Sequence, residues 1–185
     1  LDGMFALVIF DEISGDWVAA RDAFGIKPLF YSAKGEQVCI ASEASVVAKY
    51  FQRPVCAQAL TEWQLIRAPM PGYSFFQHVC EVDPGTSLNS DGLTVRFWEW
   101  LPSEQPFDQA RFEETLRASV RSHEVGDVCN VSLVSGGLDS SVLTVLSSVE
   151  RGYSVGIPGN NEFEGAREAA DISKCELATV TLSGD

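Results

Sequence analysis

Ser135-Gly136-Gly137-Leu138-Asp139-Ser140-Ser141 follows the apolar run Val131-Ser132-Leu133-Val134 and precedes Val142 to Val149. The run reads as a strand, the small residues as a loop, and Val142 to Val149 as the opening of a helix. Glycines let a backbone turn sharply and approach a ligand closely. A helix that starts after such a loop points free N–H groups and the positive end of its dipole into it. The serine hydroxyls add donors. The segment therefore reads as an anion cradle that needs no lysine. Asp139 would repel a bare phosphate here. It makes sense as a Mg²⁺ ligand, because Mg²⁺ is usually held by one or two carboxylates plus substrate phosphates. Five fixed small or acidic positions match in a chain of this length by chance on the order of a few times in ten thousand. An ordinary Ser/Gly turn is thus the weaker reading. No Gly-Lys-Ser/Thr follows, so the loop is not a Walker A loop, nor is it a dinucleotide fingerprint.

Outward from this segment the pattern is α/β. Tyr153 to Ile157 reads as a second strand, Glu162 to Lys174 as a helix and Leu177 to Leu182 as a third strand. Strand, helix, strand, helix, strand predicts a parallel sheet. Upstream, Phe107 to Val120 reads as a helix with Asp108 near its N-terminus, since Phe112, Leu116 and Val120 recur every four residues. Residues 102 to 106 are polar and carry Pro102 and Pro106, as a linker would. The expected domains are therefore 1–101 and 107–185, joined by 102–106.

The first domain reads as β-rich. Phe5 to Phe10 is a continuous apolar run, as expected of a strand buried on both faces. Trp17 to Arg21 returns as its hairpin partner after the turn Ser14-Gly15-Asp16. Leu29-Phe30-Tyr31 and Val38 to Ala41 flank a turn around Lys34-Gly35-Glu36. Ser42 is placed to cap a short helix. Residues 57 to 66 suit a second helix, 70 to 85 a loop-rich stretch, and Ser87 to Phe97 a closing hairpin. Trp98 and Trp100 alternate with Glu99, as in a half-buried strand that packs an interdomain face.

Composition narrows the function classes. The chain has 185 residues, 45% of them hydrophobic, a net charge of −13 and a pI near 4.5. A surface this acidic repels nucleic acid and anionic lipid, so neither is an expected partner. The longest apolar run, Met4 to Phe10, is far below the ~20 residues of a membrane span. The chain opens on Leu1 without a signal sequence and reads as a piece of a longer cytoplasmic protein. Its five cysteines, Cys39, Cys56, Cys80, Cys129 and Cys175, form no Cys-x-x-Cys. They read as small, mostly buried hydrophobes rather than a disulfide framework or zinc site. His78 and His123 have no visible partner, and Arg21-Asp22 reads as structural.

Ser135 to Ser140 resembles the pyrophosphate-binding loop of the N-type ATP pyrophosphatases, which cleave ATP between the α and β phosphates. Asp2-Gly3-Met4-Phe5-Ala6, Arg21-Asp22, Gly25-Ile26-Lys27-Pro28-Leu29-Phe30-Tyr31 and Ala41-Ser42-Glu43 resemble the late strands of class II glutamine amidotransferase domains. Pro84-Gly85 with Arg96-Phe97-Trp98, Ser119 to His123 with Asp127-Val128, and Glu162-Phe163 with Ala166, Ala169, Ala170 and Asp171 resemble the asparagine synthetase family. This resemblance implies the end of an N-terminal-nucleophile hydrolase (glutaminase) domain, then the start of a parallel-sheet, adenine-nucleotide α-hydrolase-like domain. It implies ATP and Mg²⁺, with aspartate and glutamine as the other substrates, and a homodimer. Carried over by position, Leu133 and Val155 would sandwich the adenine. Ser135, Gly136, Gly137, Asp139, Ser140 and Ser141 would hold the phosphates, and Asp139 the Mg²⁺. The family's cysteine nucleophile falls before Leu1, so this chain alone is expected not to hydrolyse glutamine. Cys129 and Val131 stand where the family often has Pro and Gly, and Leu177-Ala178 where it often has His. Related readings are an amidotransferase with a sugar, peptide or β-lactam-forming acceptor, and a non-catalytic nucleotide-binding relative.

Overall fold

The computed structural model describes residues 1–102 and 104–183. The chain divides into two compact units, Leu1–Ser103 and Glu104–Asp185.

Unit 1 contains two antiparallel sheets. One has the order β1-β2-β6-β7, formed by β1 (Ala6–Phe10), β2 (Trp17–Arg21), β6 (Thr86–Asn89) and β7 (Thr94–Arg96). The other has the order β4-β3-β5, formed by β3 (Phe30–Lys34), β4 (Gln37–Ala41) and β5 (Cys80–Glu81). Ala19 from the first sheet packs with Leu29 and Val82, and Ala6, Trp17, Tyr31 and Ile40 close round them, so both sheets share one core. The helix α1 (Ala44–Phe51) covers the second sheet: Val47 and Ala48 pack on Val79, with Phe30, Cys39 and Phe76 around them. Burying each of these valines stabilises by about 1.5–3 kcal/mol. The helix α2 (Ala57–Ile66) buries Ala59 alone.

Three expectations fail in this unit. β1 is not buried on both faces, because it is the edge strand of its sheet and Ile9 and Phe10 are 66% and 59% exposed. Ser42 does not cap α1; Glu43 holds the N-cap position and its side chain makes no cap bond. Trp98 and Trp100 lie beyond the end of β7 at Arg96, and Trp98 instead stacks on Phe24 with ring centroids 4.9 Å apart. The cysteines are also less buried than expected. Cys175 is buried and Cys129 exposed, with Cys39, Cys56 and Cys80 between.

Arg21 and Asp22 organise the turn after β2. Arg21 donates from Nε to the Lys27 carbonyl (2.9 Å), from Nη1 to that of Val82 (2.8 Å) and from Nη2 to that of Gly25 (2.8 Å). Its Nη1 also pairs with Glu81 at 2.8 Å. Asp22, 1% exposed, accepts the N–H groups of Phe24, Ile26 and Lys27. Both roles are structural: Asp22 holds the turn itself, and Arg21 ties the turn to Glu81 and Val82 at the end of β5.

Unit 2 opens with α3 (Gln109–His123), whose N-cap Asp108 accepts the Arg111 N–H. A parallel sheet of order β10-β9-β8 follows, made of β8 (Ser132–Leu133), β9 (Arg151–Gly156) and β10 (Glu176–Thr181). The helices α4 (Leu138–Leu146) and α5 (Phe163–Ser173) connect the strands. Val134, Ala166 and Ala169 form the core with Leu177 against it. β8 is shorter than the four-residue run suggests. α3 starts two residues later and ends three residues later than expected.

Candidate functional site

The Ser135–Gly137 turn leaves the carboxyl end of β8 and leads directly into α4. In parallel α/β sheets, ligands bind at such strand ends. The helix starts at Leu138 rather than Val142, so Asp139, Ser140 and Ser141 stand in its first turn and not in a loop. The N-cap is Gly137, which has no side chain to cap with. The leading N–H groups of a helix have no partner within it, so this end is left open to an anion.

Hydroxyls fix the shape of the turn. The Ser140 Oγ donates to the Gly137 carbonyl (3.2 Å) and accepts the Ser135 N–H (3.1 Å). It also lies 2.9 Å from the Ser135 Oγ, which accepts the Gly137 N–H at 3.3 Å. A hydroxyl has one proton, so with Ser140 donating to Gly137 the Ser135 hydroxyl donates to Ser140. Both protons are committed inside the turn. These serines therefore shape the cradle, and the backbone N–H groups of α4 are its donors.

Two glycines do different work. Gly136 has φ +86°, and a Cβ there would lie 2.6 Å from the Glu162 carbonyl oxygen. From the other side, a Cβ on Gly165 would lie 2.9 Å from the Gly136 carbonyl oxygen. The start of α5 thus packs against the turn at a distance only glycine permits. At Gly137 the backbone is ordinary, with φ −75°, and an added Cβ would meet only the Ser135 Oγ at 3.5 Å. Its missing side chain leaves open space at the mouth of the cradle.

Leu133 and Val155 are not strand core: they are 75% and 56% exposed. Register explains how. Leu133 pairs with Tyr153, and Val155 pairs with Val180. Residues two apart on a strand share a face, so Leu133, Tyr153, Val155, Ala178 and Val180 line one face of the sheet. The opposite face, with Gly152 and Leu177 in register, is the one the helices cover. The open face is an apolar platform beside the cradle. Tyr153, Val180 and Gly165 were not among the residues singled out from sequence. Strand alternation from Val155 points to Tyr153, whereas nothing local marks Gly165.

The residues present suit a Mg²⁺-bound polyphosphate. The open helix end supplies donors, Gly137 supplies room, and Asp139 presents an exposed carboxylate in the first turn of α4. Among the described residues no group of three or more His, Cys, Asp or Glu could hold a metal by itself. A Mg²⁺ ion here would thus depend on the phosphates for most of its ligands.

Each unit also carries a cavity away from the turn. That of unit 1, about 290 Å³, is lined by Tyr31, Cys80, Glu81 and Asp83 among others. Burial pushes the Tyr31 phenol above its ordinary value, and Cys80 and Asp83 beside it add to the effect. That of unit 2, about 370 Å³, lies between α3 and α4. Several of its polar groups already have partners: His123 Nδ1 contacts the Ser119 carbonyl, Glu124 accepts the Ser148 N–H, and Asn130 donates to the Glu124 carbonyl. His123 Nδ1 also lies 3.4 Å from the neighbouring Ser122 hydroxyl, a contact within one exposed turn of α3. Among the described residues, no helix is long and apolar enough to cross a membrane.

Residues 1–100 match the family model of a glutamine amidotransferase domain, and residues 111–185 that of asparagine synthase. The chain belongs to the glutamine-hydrolysing asparagine synthetase family. It is 33% identical over 162 residues to asparagine synthetase [glutamine-hydrolyzing] 3 of Bacillus subtilis, covering 80% of this chain and 26% of that protein. Asparagine synthetase [glutamine-hydrolyzing] 1 of the same organism is 30% identical over 198 residues, or 99% of this chain and 31% of that protein. A probable asparagine synthetase [glutamine-hydrolyzing] of Schizosaccharomyces pombe is 29% identical over 197 residues, or 93% and 32%. The chain therefore spans 26% to 32% of the length of these asparagine synthetase relatives. The Ser135–Gly137 turn falls within the asparagine synthase match, and the Arg21–Asp22 turn within the amidotransferase match.

Proposed function

We propose that this chain serves an ATP-dependent amidotransferase that makes asparagine from aspartate, with glutamine or ammonia as the nitrogen source, releasing AMP and pyrophosphate. In this reading residues 1–101 are the C-terminal part of a class II glutaminase domain of the N-terminal-nucleophile hydrolase fold. Residues 102–106 link it to 107–185, the first part of an adenine-nucleotide α-hydrolase-like synthetase domain. The family match and the relatives' names support the activity. The observation that carries the synthetase site is the uncapped start of α4 behind a turn held open at Gly137.

ATP is a substrate here, and it converts the side-chain carboxylate of aspartate into an acyl-adenylate, from which AMP departs when ammonia attacks. The chain's own residues bind and orient. Backbone N–H groups of α4 and the turn of Ser135, Gly136 and Gly137 cradle the departing pyrophosphate. Ser140 and Ser141 belong to the same first turn of α4, and Ser140 holds the cradle's shape. Asp139 is the residue that would hold Mg²⁺ against the phosphates. Leu133 and Val155 offer an apolar platform for the adenine ring. Both ends of the nucleotide are thus met by one edge of one sheet.

The test is product analysis with the purified intact enzyme of which this chain is part, MgATP, ammonia and aspartate. AMP and pyrophosphate should form in equal amounts, and only when aspartate is present. ADP and phosphate as products, or turnover that ignores aspartate, would overturn the assignment.

A further inference from the structure

Ser132, half-buried on β8, and Thr144, buried on α4, carry hydroxyls next to the cradle that the reading above leaves unused. Thr144 is fully buried in the last turn of α4, at 0% exposure. Its Oγ1 donates to the Ser140 carbonyl at 2.7 Å and lies 2.6 Å from the Ser132 Oγ on β8. Thr144 has one proton and gives it to Ser140, so Ser132 is the donor in the second contact. A continuous chain results: Ser132 to Thr144, Thr144 to the backbone of Ser140, and Ser140 through its hydroxyl to Ser135 and Gly137. The strand on one side of the turn is thus tied to the helix on the other by a path independent of the turn itself.

A valine would fill the space of Thr144 but leave the Ser132 hydroxyl without its acceptor. The hydroxyl does something a methyl does not: it fixes how far α4 is rotated and advanced along β8. Helices packed by apolar contacts alone tolerate small slides. A slide would carry the Ser140 hydroxyl away from Ser135, to which it is bonded at 2.9 Å. The cradle would then lose the shape its two serines maintain.

We propose that Ser132 and Thr144 are positioning residues for the pyrophosphate cradle, acting through Ser140. This rests on the phosphate-site reading above. Neither side chain touches a phosphate, so their effect falls on cradle geometry rather than on charge.

The experiment compares wild type with Thr144→Val, Thr144→Ser and Ser132→Ala in the same protein, using MgATP and inorganic pyrophosphate as probes. Supporting residues of this kind commonly set affinity by ~10–100-fold. Thr144→Val should weaken pyrophosphate binding by about tenfold or more. Thr144→Ser, which keeps the hydroxyl, should restore it even where the lost methyl lowers Tm. Amide exchange at Ser135 and Gly137 should quicken in Thr144→Val and not in Thr144→Ser. Should Thr144→Val fail to fold, Ser132→Ala decides, with weakened pyrophosphate binding at an unchanged fold expected. A folded Thr144→Val or Ser132→Ala that binds pyrophosphate as tightly as wild type would overturn the positioning role alone. Wild-type protein that binds neither probe would overturn the site reading and this role with it.

Discussion

At Asp139, charge and shape make opposite forecasts. A carboxylate in the first turn of a helix is favourable for the helix dipole alone, by about 0.3–1 kcal/mol. If that were its whole role, Asp139→Asn would be nearly neutral. As a Mg²⁺ ligand it should matter far more, because the amide keeps the size but loses most hard-cation affinity. In the intact enzyme of which this chain is part, we expect Asp139→Asn to lower aspartate-dependent pyrophosphate release by on the order of 10²-fold or more, with Tm close to wild type. Normal release by the folded variant would remove Asp139 from the metal role. The neighbouring glycines separate stability from binding in the same way. Gly136→Ala puts a Cβ at φ +86° and 2.6 Å from the Glu162 carbonyl oxygen. It should destabilise by about 2 kcal/mol or more, read by urea unfolding. Gly137→Val meets only the Ser135 Oγ, at 3.5 Å for its Cβ. Its main effect should be lost pyrophosphate release, with unfolding changed far less than by Gly136→Ala. Equal destabilisation by both would show that the turn is only a turn.

Among the elements, the turn between β2 and β3 is held by one carboxylate. Burial alone would raise the pKa of Asp22, but the N–H groups of Lys27, Ile26 and Phe24 outweigh it and hold the carboxyl below the usual 3.8. A folded-state pKa below the unfolded one means that Asp22 stabilises fully above the unfolded value. That stabilisation fades as pH falls through it towards the lower folded value. Asp22→Asn turns an acceptor facing the Lys27 N–H into an NH₂ donor or loses another of its three bonds. It should cost about 1–3 kcal/mol near neutral pH. The gap between the two proteins should narrow below about pH 3.8, as chemical unfolding across pH would show; a constant gap would rule out the charge as the cause. Such a turn is partly legible in sequence, because an Asp followed by Gly25 and Pro28 announces a turn, while the long-range bond from Arg21 to Val82 does not. The same division holds elsewhere. The hairpins of β1–β2 and β3–β4 and the strand–helix alternation of unit 2 follow from periodicity and turn residues. The start of α4 was misplaced because Gly137 is a poor capping signal and Leu138-Asp139 reads equally well as loop. The exposure of Ile9, Phe10, Leu133 and Val155 was also hidden, since an apolar strand residue reads as core whichever face it lines.

For the molecule as a whole, the two units Leu1–Ser103 and Glu104–Asp185 carry separate cores, built on Ala19, Leu29 and Val82 in one and on Val134, Ala166 and Ala169 in the other. Protease sites concentrate where backbone is exposed and free of secondary structure. Trp100, Leu101 and Phe107 meet that condition: they lie outside any helix or strand and are 69%, 76% and 76% exposed. A protease that cuts after aromatic and large apolar residues should therefore cleave first between Trp100 and Phe107. The Ser135 turn is also exposed, but it is internally bonded through Ser135, Gly137 and Ser140 and packed against the start of α5. Cutting there requires those contacts to open, so it should be slower. Mass spectrometry of the early fragments should show two resistant pieces with ends in the 100–107 stretch. First cleavage within residues 128 to 142 would mean that unit 2 is not a stable body by itself. MgATP adds a further discrimination: by binding the folded cradle it should slow any later cutting in residues 128 to 142, while leaving the rate at Trp100–Phe107 unchanged.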